Sequence, residues 1–318
     1  MNSITPNAKE EVPIRLQKSV KLFRSIYPER EADFHDEYFD WRYNRQFERG
    51  AHSVSICVGG RKVAHAGVFK QSINLHGSSY PLAQLGDLAV HSDHRSFATV
   101  LSIYRSLRKI LDQEGYSCIL TLPNERSRKL NQKFLNLKSL LEIKFTVGVF
   151  LPSLLSDNKV KHAIVKRVDL LPSQFLKFID CHLAQQTNEN GVIWTPTAFL
   201  NRMLDPNSDY QVSWLGGIGV VTTKHTRFAM PYVMIRAILV ADPNLATKGH
   251  WRKLMGNVAR KNSTPLYLYW GVNKNFSDLY SVSFFSKQLS KGTIVQTSSQ
   301  IEAAGGLERL ELIDVDIY

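Results

Sequence analysis

Residues 85–124 constrain the fold more than any other stretch, because they read as strand, turn, helix and strand in immediate succession. LGDLAV (85–90) has the apolar run of a strand, and HSDHRSFAT follows it with no spacer. That turn puts Arg95, Ser96, Phe97, Ala98 and Thr99 at the start of a helix, where unpaired backbone N–H groups and the helix dipole favour a phosphate. Val100, Leu101, Tyr104, Leu107, Ile110 and Leu111 then recur at helical spacing as far as Gln113 or Glu114, and Gly115 is the stop. SCILTL (117–122), closed by Pro123, is the second strand. The expected product is a βαβ unit and an α/β fold built on a mixed α+β sheet.

The second half repeats this order of elements about 150 residues later. Residues 53–71 predict a hairpin turning at Gly59 and Gly60, and residues 210–225 another turning at Gly216 and Gly217. A further strand, a helix and another strand follow each hairpin. Val90 then corresponds to Val240, Asn124 to Asn273 and Ser127 to Ser277. Between the halves, LPSLLSDNKVKHAIVKR combines proline, polar residues and a charge run, so we expect two domains, 1–155 and 156–318. A length of 318 residues with 43% hydrophobic content fits two cores.

Forty Lys and Arg against 28 Asp and Glu give a net charge of +12, which favours an anionic partner. No run of about 18 apolar residues occurs, and MNSITPNAKEEVP has neither a basic nor an apolar leader region, so a cytoplasmic chain without membrane insertion is expected. Cys57, Cys118 and Cys181 are isolated in apolar surroundings and predict buried thiols, not a disulfide framework. No GxSxG, HExxH or clustered His and Cys occurs, so neither a covalent nucleophile nor a metal is expected.

"LAVHSDHRS", followed by "LPNERS", resembles the acyl-CoA binding core of the GNAT acyltransferase superfamily. The family turn is Arg or Gln, two residues, Gly, one residue, Gly or Ala; here Arg95 is matched, while Ala98 and Val100 stand at the glycine positions. The resemblance implies two tandem GNAT-like domains, each a central mixed β-sheet flanked by helices. It implies acyl-CoA as co-substrate, with Leu88, Ala89 and Val90 presenting N–H groups to the pantetheine and thioester. Residues 95–99 would take the diphosphate and Asn124 the pantetheine amides. The second half offers Lys248 and Gly249 but no copy of the turn, so coenzyme binding is assigned to the first domain only.

For catalysis the resemblance points to Asp87 as base or ammonium anchor, with a structural aspartate as the alternative reading, and to His91 and His94 as further candidates, while Glu125 stands beside Asn124 where the family's strands part to admit the pantetheine. The tyrosine acid of many relatives is missing from the helix after the second strand, where Phe134 lies nearest. The segment with Trp41, Arg42 and Tyr43 resembles GNAT-like proteins of amino-sugar pathways, and these three, with Arg236, are the expected substrate-binding residues. For the aromatics the favoured reading is that they cover the sheet, together with Phe34, Tyr38 and Phe47, and Arg42 is the one expected to face a ligand.

The implied activity is acyl transfer from acyl-CoA to the amine of a dTDP- or UDP-linked amino sugar, by direct attack through a tetrahedral intermediate. Nucleic acid is not an expected partner. The alternatives are a Fem-type aminoacyltransferase using aminoacyl-tRNA and a GNAT that binds without catalysis.

Overall fold

Alternating apolar residues and paired glycines make the hairpins that build the sheet. The computed structural model describes residues 7–11, 13–47, 50–150, 159–274 and 285–315. Strand β1 (Lys9–Glu10) pairs with β2 (Ala51–Val58), which turns at Gly59 and Gly60, both at positive φ, into β3 (Arg61–Leu75). β3 returns as β4 (Ser78–Val90), longer than the six residues expected of it. Helix α1 (Leu16–Ile26) and α2 (Asp36–Asp40) precede these strands, and α2 runs into a π-helical turn, Trp41–Arg45.

After β4 the expected unit forms. Helix α3 (Phe97–Gln113) ends before Gly115, which has φ 67°. Its apolar face buries Ile103, Tyr104, Leu107, Ile110 and Leu111 against Val54, Val63, Ala66 and Val68 of the sheet. β5 (Cys118–Thr121) then lies parallel to β4, and α4 (Glu125–Leu135) and β6 (Lys138–Val149) follow. On the opposite face, Phe23, Phe34, Phe39, Tyr43 and Phe69 form an aromatic core.

The second half runs β7 (Lys161–Val165), α5 (Ser173–Gln185), β8 (Gly191–Ile193), α6 (Pro196–Arg202), β9 (Tyr210–Leu215), β10 (Ile218–Arg227), β11 (Met230–Val240), α7 (Lys248–Lys261), β12 (Leu266–Tyr269), β13 (Gly271–Asn273), β14 (Phe285–Thr297) and β15 (Arg309–Glu311). The β9–β10 hairpin turns at Gly216 and Gly217 as read, and α7 buries Trp251, Leu254, Met255 and Val258 over its sheet.

Both halves share one sheet in the order β13-β15-β8-β3-β4-β5-β14-β6-β12-β11-β10-β9-β7. At its centre, β14 lies antiparallel to β5 of the first half, and β6 lies antiparallel to β12 of the second. Each half therefore takes a strand from the other across the β6–β14 pair. The graft is tied into the first half by buried polar groups: Tyr104 donates to Asn131 at 2.6 Å, Asn131 to Gln296 at 3.1 Å, and Gln296 to the Arg128 carbonyl at 3.2 Å.

Two expectations are corrected. Residues 161–165 are strand β7 against β9, not linker; residues 151–158 and Ser277 lie outside the described residues. Cys118 is buried, but Cys57 and Cys181 are exposed, the first where β2 leaves the core for its turn and the second on the outer face of α5. Among the described residues no helix is long and apolar enough to cross a membrane.

Candidate active site

β4 pairs with β5 only from Leu82 to Leu85, and beyond that rung the two strands part. His91 N–H bonds back to Val63 of β3, so by alternation the N–H groups of Ala89 and His91 face β3 while those of Leu88 and Val90 face the gap. Among the described residues no strand pairs with that edge.

The register breaks just before this edge. His65 opposes Ala89 and Gly67 opposes Gly86, so Asp87 and Leu88 together face Ala66, which is a β-bulge. Asp87 sits there at φ 55°, a left-handed conformation that costs a non-glycine residue on the order of 1–3 kcal/mol. Asp is among the residue types that tolerate it best.

Three donors hold Asp87. Arg42 Nη2 lies 3.1 Å from Oδ1 and Nε 3.2 Å from Oδ2, and the Tyr43 hydroxyl donates to Oδ2 at 2.7 Å. The ion pair is nearly dry, with side chains 2% and 6% exposed. Burial pushes the Asp87 carboxyl up, but the Arg42 charge and hydrogen bonds, with Tyr43, outweigh it and hold its pKa below the usual carboxylate value. Burial, helped by the nearby Lys62 charge, takes His65 down to about 3, so its imidazole is neutral. A neutral ring carries one proton, and Tyr43 has given its own to Asp87. From that network we assign the His65 proton to Nε2, 2.5 Å from the Tyr43 oxygen, which leaves Nδ1 to accept from Ser53 at 3.2 Å. His65 and Tyr43 thus both donate toward Asp87, while the Ser53 hydroxyl lies between His65 Nδ1 and Glu11 Oε2, 3.5 Å from the latter.

Glycines make room for this cluster. A Cβ on Gly67 would lie 2.9 Å from the Tyr43 oxygen and 3.0 Å from the Phe69 ring, and one on Gly86 would lie 3.1 Å from Phe69. The Arg42 guanidinium itself stacks 4.0 Å over Phe69.

Several expected roles change accordingly. A carboxylate committed to three donors, with a lowered pKa, is poorly placed to take a proton, so Asp87 fits the structural reading and not that of base. Trp41, Arg42 and Tyr43 are 1–2% exposed and face the core, not a ligand; the Trp41 indole N–H donates to the Asn201 carbonyl at 2.7 Å. His91 accepts weakly from the Asp93 N–H at 3.4 Å as part of the turn, and its ring centroid lies 6.1 Å from that of His94. Arg236 is half-buried in the second half, donating to Thr223 at 3.0 Å, and is not brought to Asp87. His65 was missed by sequence reasoning. Its one signal is a lone titratable side chain in the apolar run VAHAGVF.

The turn after β4 has the expected form. Ser96 caps α3 by accepting from the Thr99 N–H at 3.1 Å, and Val100 begins the helical bonding, which leaves the Phe97 and Ala98 N–H groups at the helix end for an outside acceptor. Arg95 is exposed and folds back to donate to the Val90 carbonyl at 3.1 Å. Across the gap, Asn124 caps α4 through the Ser127 N–H at 2.9 Å, with Glu125 exposed beside it. Phe134 packs against Tyr104 and against Phe97 at the start of α3.

The corresponding edge of the second half is filled. The Ile238 N–H donates to Glu311 Oε1 at 3.1 Å, which also accepts from the Tyr269 hydroxyl at 3.0 Å, and the Val240 N–H donates to His182 at 3.1 Å. Ile238 and Val240 are the counterparts of Leu88 and Val90. A cavity of about 250 Å³ remains beside them, but its wall N–H groups are already bonded. Among the described residues no group of three or more His, Cys, Asp or Glu could hold a metal ion.

Residues 14–131 match the family model of the acetyltransferase (GNAT) domain. No curated protein matches the chain. Among solved structures it is similar to a GCN5-related N-acetyltransferase from Anabaena variabilis (TM-score 0.64, 10% identity, 92% of this chain and 72% of that one). It is also similar to a probable N-acyltransferase from Enterococcus faecalis (0.62, 12%, 92% and 72%) and a putative acetyltransferase from Pyrococcus horikoshii (0.57, 11%, 98% and 94%). At these identities the structures establish a shared fold over nearly the whole chain.

Proposed function

We propose that the first half is a coenzyme A-dependent acyltransferase that moves an acyl group from the thioester to a primary amine. The observation that carries this reading is the open edge of Leu88 and Val90 beside the N-terminus of α3, in a segment that matches the GNAT domain. The Phe97 and Ala98 N–H groups, with Arg95, would meet the diphosphate. The Leu88 and Val90 N–H groups would meet the pantetheine arm and the thioester carbonyl, where an oxyanion donor contributes roughly 3 kcal/mol or more. The amine attacks directly and the thiolate leaves. An amine that titrates near pH 8 needs little help from a base, and in this reading Asp87 gives none.

For the acceptor, the net charge of +12 supports an anionic molecule such as a dTDP- or UDP-linked amino sugar. Burial of Trp41 and Tyr43 withdraws the aromatic argument for a sugar face, so the acceptor reading rests on charge. We assign coenzyme binding to residues 1–155 alone, because Glu311 and His182 occupy the matching edge of residues 156–318.

Thermal melting with acetyl-CoA, coenzyme A, dTDP and UDP tests this, since a ligand of the native state raises stability by mass action. A shift with either coenzyme form is expected. No shift at concentrations far above micromolar would remove the acyltransferase reading, and a coenzyme shift without a nucleotide shift would remove only the nucleotide-linked acceptor.

A further inference from the structure

The bulge in β4 has an internal control. β10 and β11 carry a register break close to the corresponding place, between Val221 and Thr222, where Arg236 is the extra residue. Arg236 is not at positive φ, and among the described residues no carboxylate is paired with it; its Nε donates to Thr223. A bulged hairpin of this fold therefore forms without a buried Asp, Arg, Tyr and His cluster. In that half the following edge is filled by Glu311 and His182, whereas after Asp87 no strand among the described residues pairs with the edge. Among the described residues, the left-handed bulge residue and its clamp occur in the half where no strand pairs with the following edge.

We propose that Arg42, Tyr43 and His65 are positioning residues for the thioester end of the coenzyme: through Asp87 they fix the left-handed bulge that aims the Leu88 and Val90 N–H groups across the gap. The proposal rests on the acyltransferase reading. Its geometry is one-directional. His65 donates to Tyr43 and Tyr43 to Asp87, while Arg42 grips both carboxylate oxygens. Removal of the Tyr43 hydroxyl breaks the chain at the atom next to Asp87 and leaves the Tyr43 ring in place, stacked on Phe39 at 6.1 Å. The clamp's described hydrogen bonds run to Gln46, His65 and Asp87, so its effect is expected at the thioester end of the coenzyme.

Calorimetric titration of the wild type, Tyr43→Phe and His65→Gln with two probes separates the possibilities. Acetyl-CoA samples the bulge edge and the turn together; adenosine 3′,5′-bisphosphate carries the nucleotide phosphates without the pantetheine arm. The expected result is that Tyr43→Phe weakens acetyl-CoA about tenfold, with His65→Gln in the same direction, while affinity for the bisphosphate stays within twofold of wild type. Acetyl-CoA affinity within twofold of wild type in both variants would overturn the proposal. So would a parallel loss for both probes with a lowered melting temperature, which marks a purely structural role. A wild type that binds neither probe would instead defeat the acyltransferase reading itself.

Discussion

At the scale of single residues, the buried charges decide most. Lys62 is fully buried and donates to Glu11 at 2.6 Å and to Ser19 at 2.7 Å, with Glu11 side-chain exposure of 7%. Burial lowers the Lys62 pKa, and Glu11 works against that by favouring the charged form. Truncating one partner leaves the other charge uncompensated, so Lys62→Ala should cost about 3–5 kcal/mol by chemical denaturation. Lys62→Met combined with Glu11→Leu should recover most of that loss, because a well-packed apolar pair is often as stable as a buried ion pair. Additive losses in the double variant would show that the pair contributes more than its desolvation costs. None of this was legible from sequence, since a Lys at the start of a strand and a Glu near the chain start look like two solvated charges.

At the scale of elements, α3 was the most legible and β4 the least. The helix announces itself through apolar spacing, a Ser at its N-cap and a Gly past its end, all of which are local. Ser96→Ala should therefore lower stability by about 1 kcal/mol through the lost cap, read from the melting transition. Arg95→Ala should leave stability within about 0.5 kcal/mol, because the side chain is exposed, yet weaken acetyl-CoA several-fold in the same titrations. Equal coenzyme affinity in Arg95→Ala would take the diphosphate away from this turn. β4 was read correctly as a strand, but its bulge was not foreseen. Gly86 and Asp87 interrupt the alternation without saying which way the chain turns, and the answer depends on Arg42 and Tyr43, more than forty residues earlier.

At the scale of the whole molecule, stability should depend on pH through groups buried in both halves. His65 and His182 are buried and lowered to about 3 by that burial, so the unfolded chain takes up protons below pH 6.5 that the folded chain refuses. Stability is therefore lost as pH falls from 6.5 toward 3, by up to about 1.4 kcal/mol per pH unit for each histidine. Glu311 is raised to about 8, chiefly by burial and next by the Asp314 charge, so its stabilisation is present below pH 4.5 and is lost as pH rises toward 8. The two effects oppose each other between 4.5 and 6.5, where the pair of histidines outweighs the single acid, and the optimum falls near pH 6.5. Melting curves from pH 4 to 9 should show this, and Glu311→Gln should abolish the decline between 6.5 and 8. An unchanged decline in that variant would assign it to another group.

The sequence alone determined the local units: the two hairpins at paired glycines, the strand, turn, helix and strand of residues 85–124, and the recurrence of that order of elements in the second half. Those follow from periodicity, capping and turn chemistry, which act over a few residues. Only the tertiary structure decided that β6 and β14 cross between halves, that Asp87 is clamped and not free, and that among the described residues no strand pairs with the Leu88 and Val90 edge while its counterpart is closed by Glu311 and His182. Strand partners and the protonation of buried groups depend on what lies beside them in space, and nothing in the chain near Asp87 or Ile238 states what that will be.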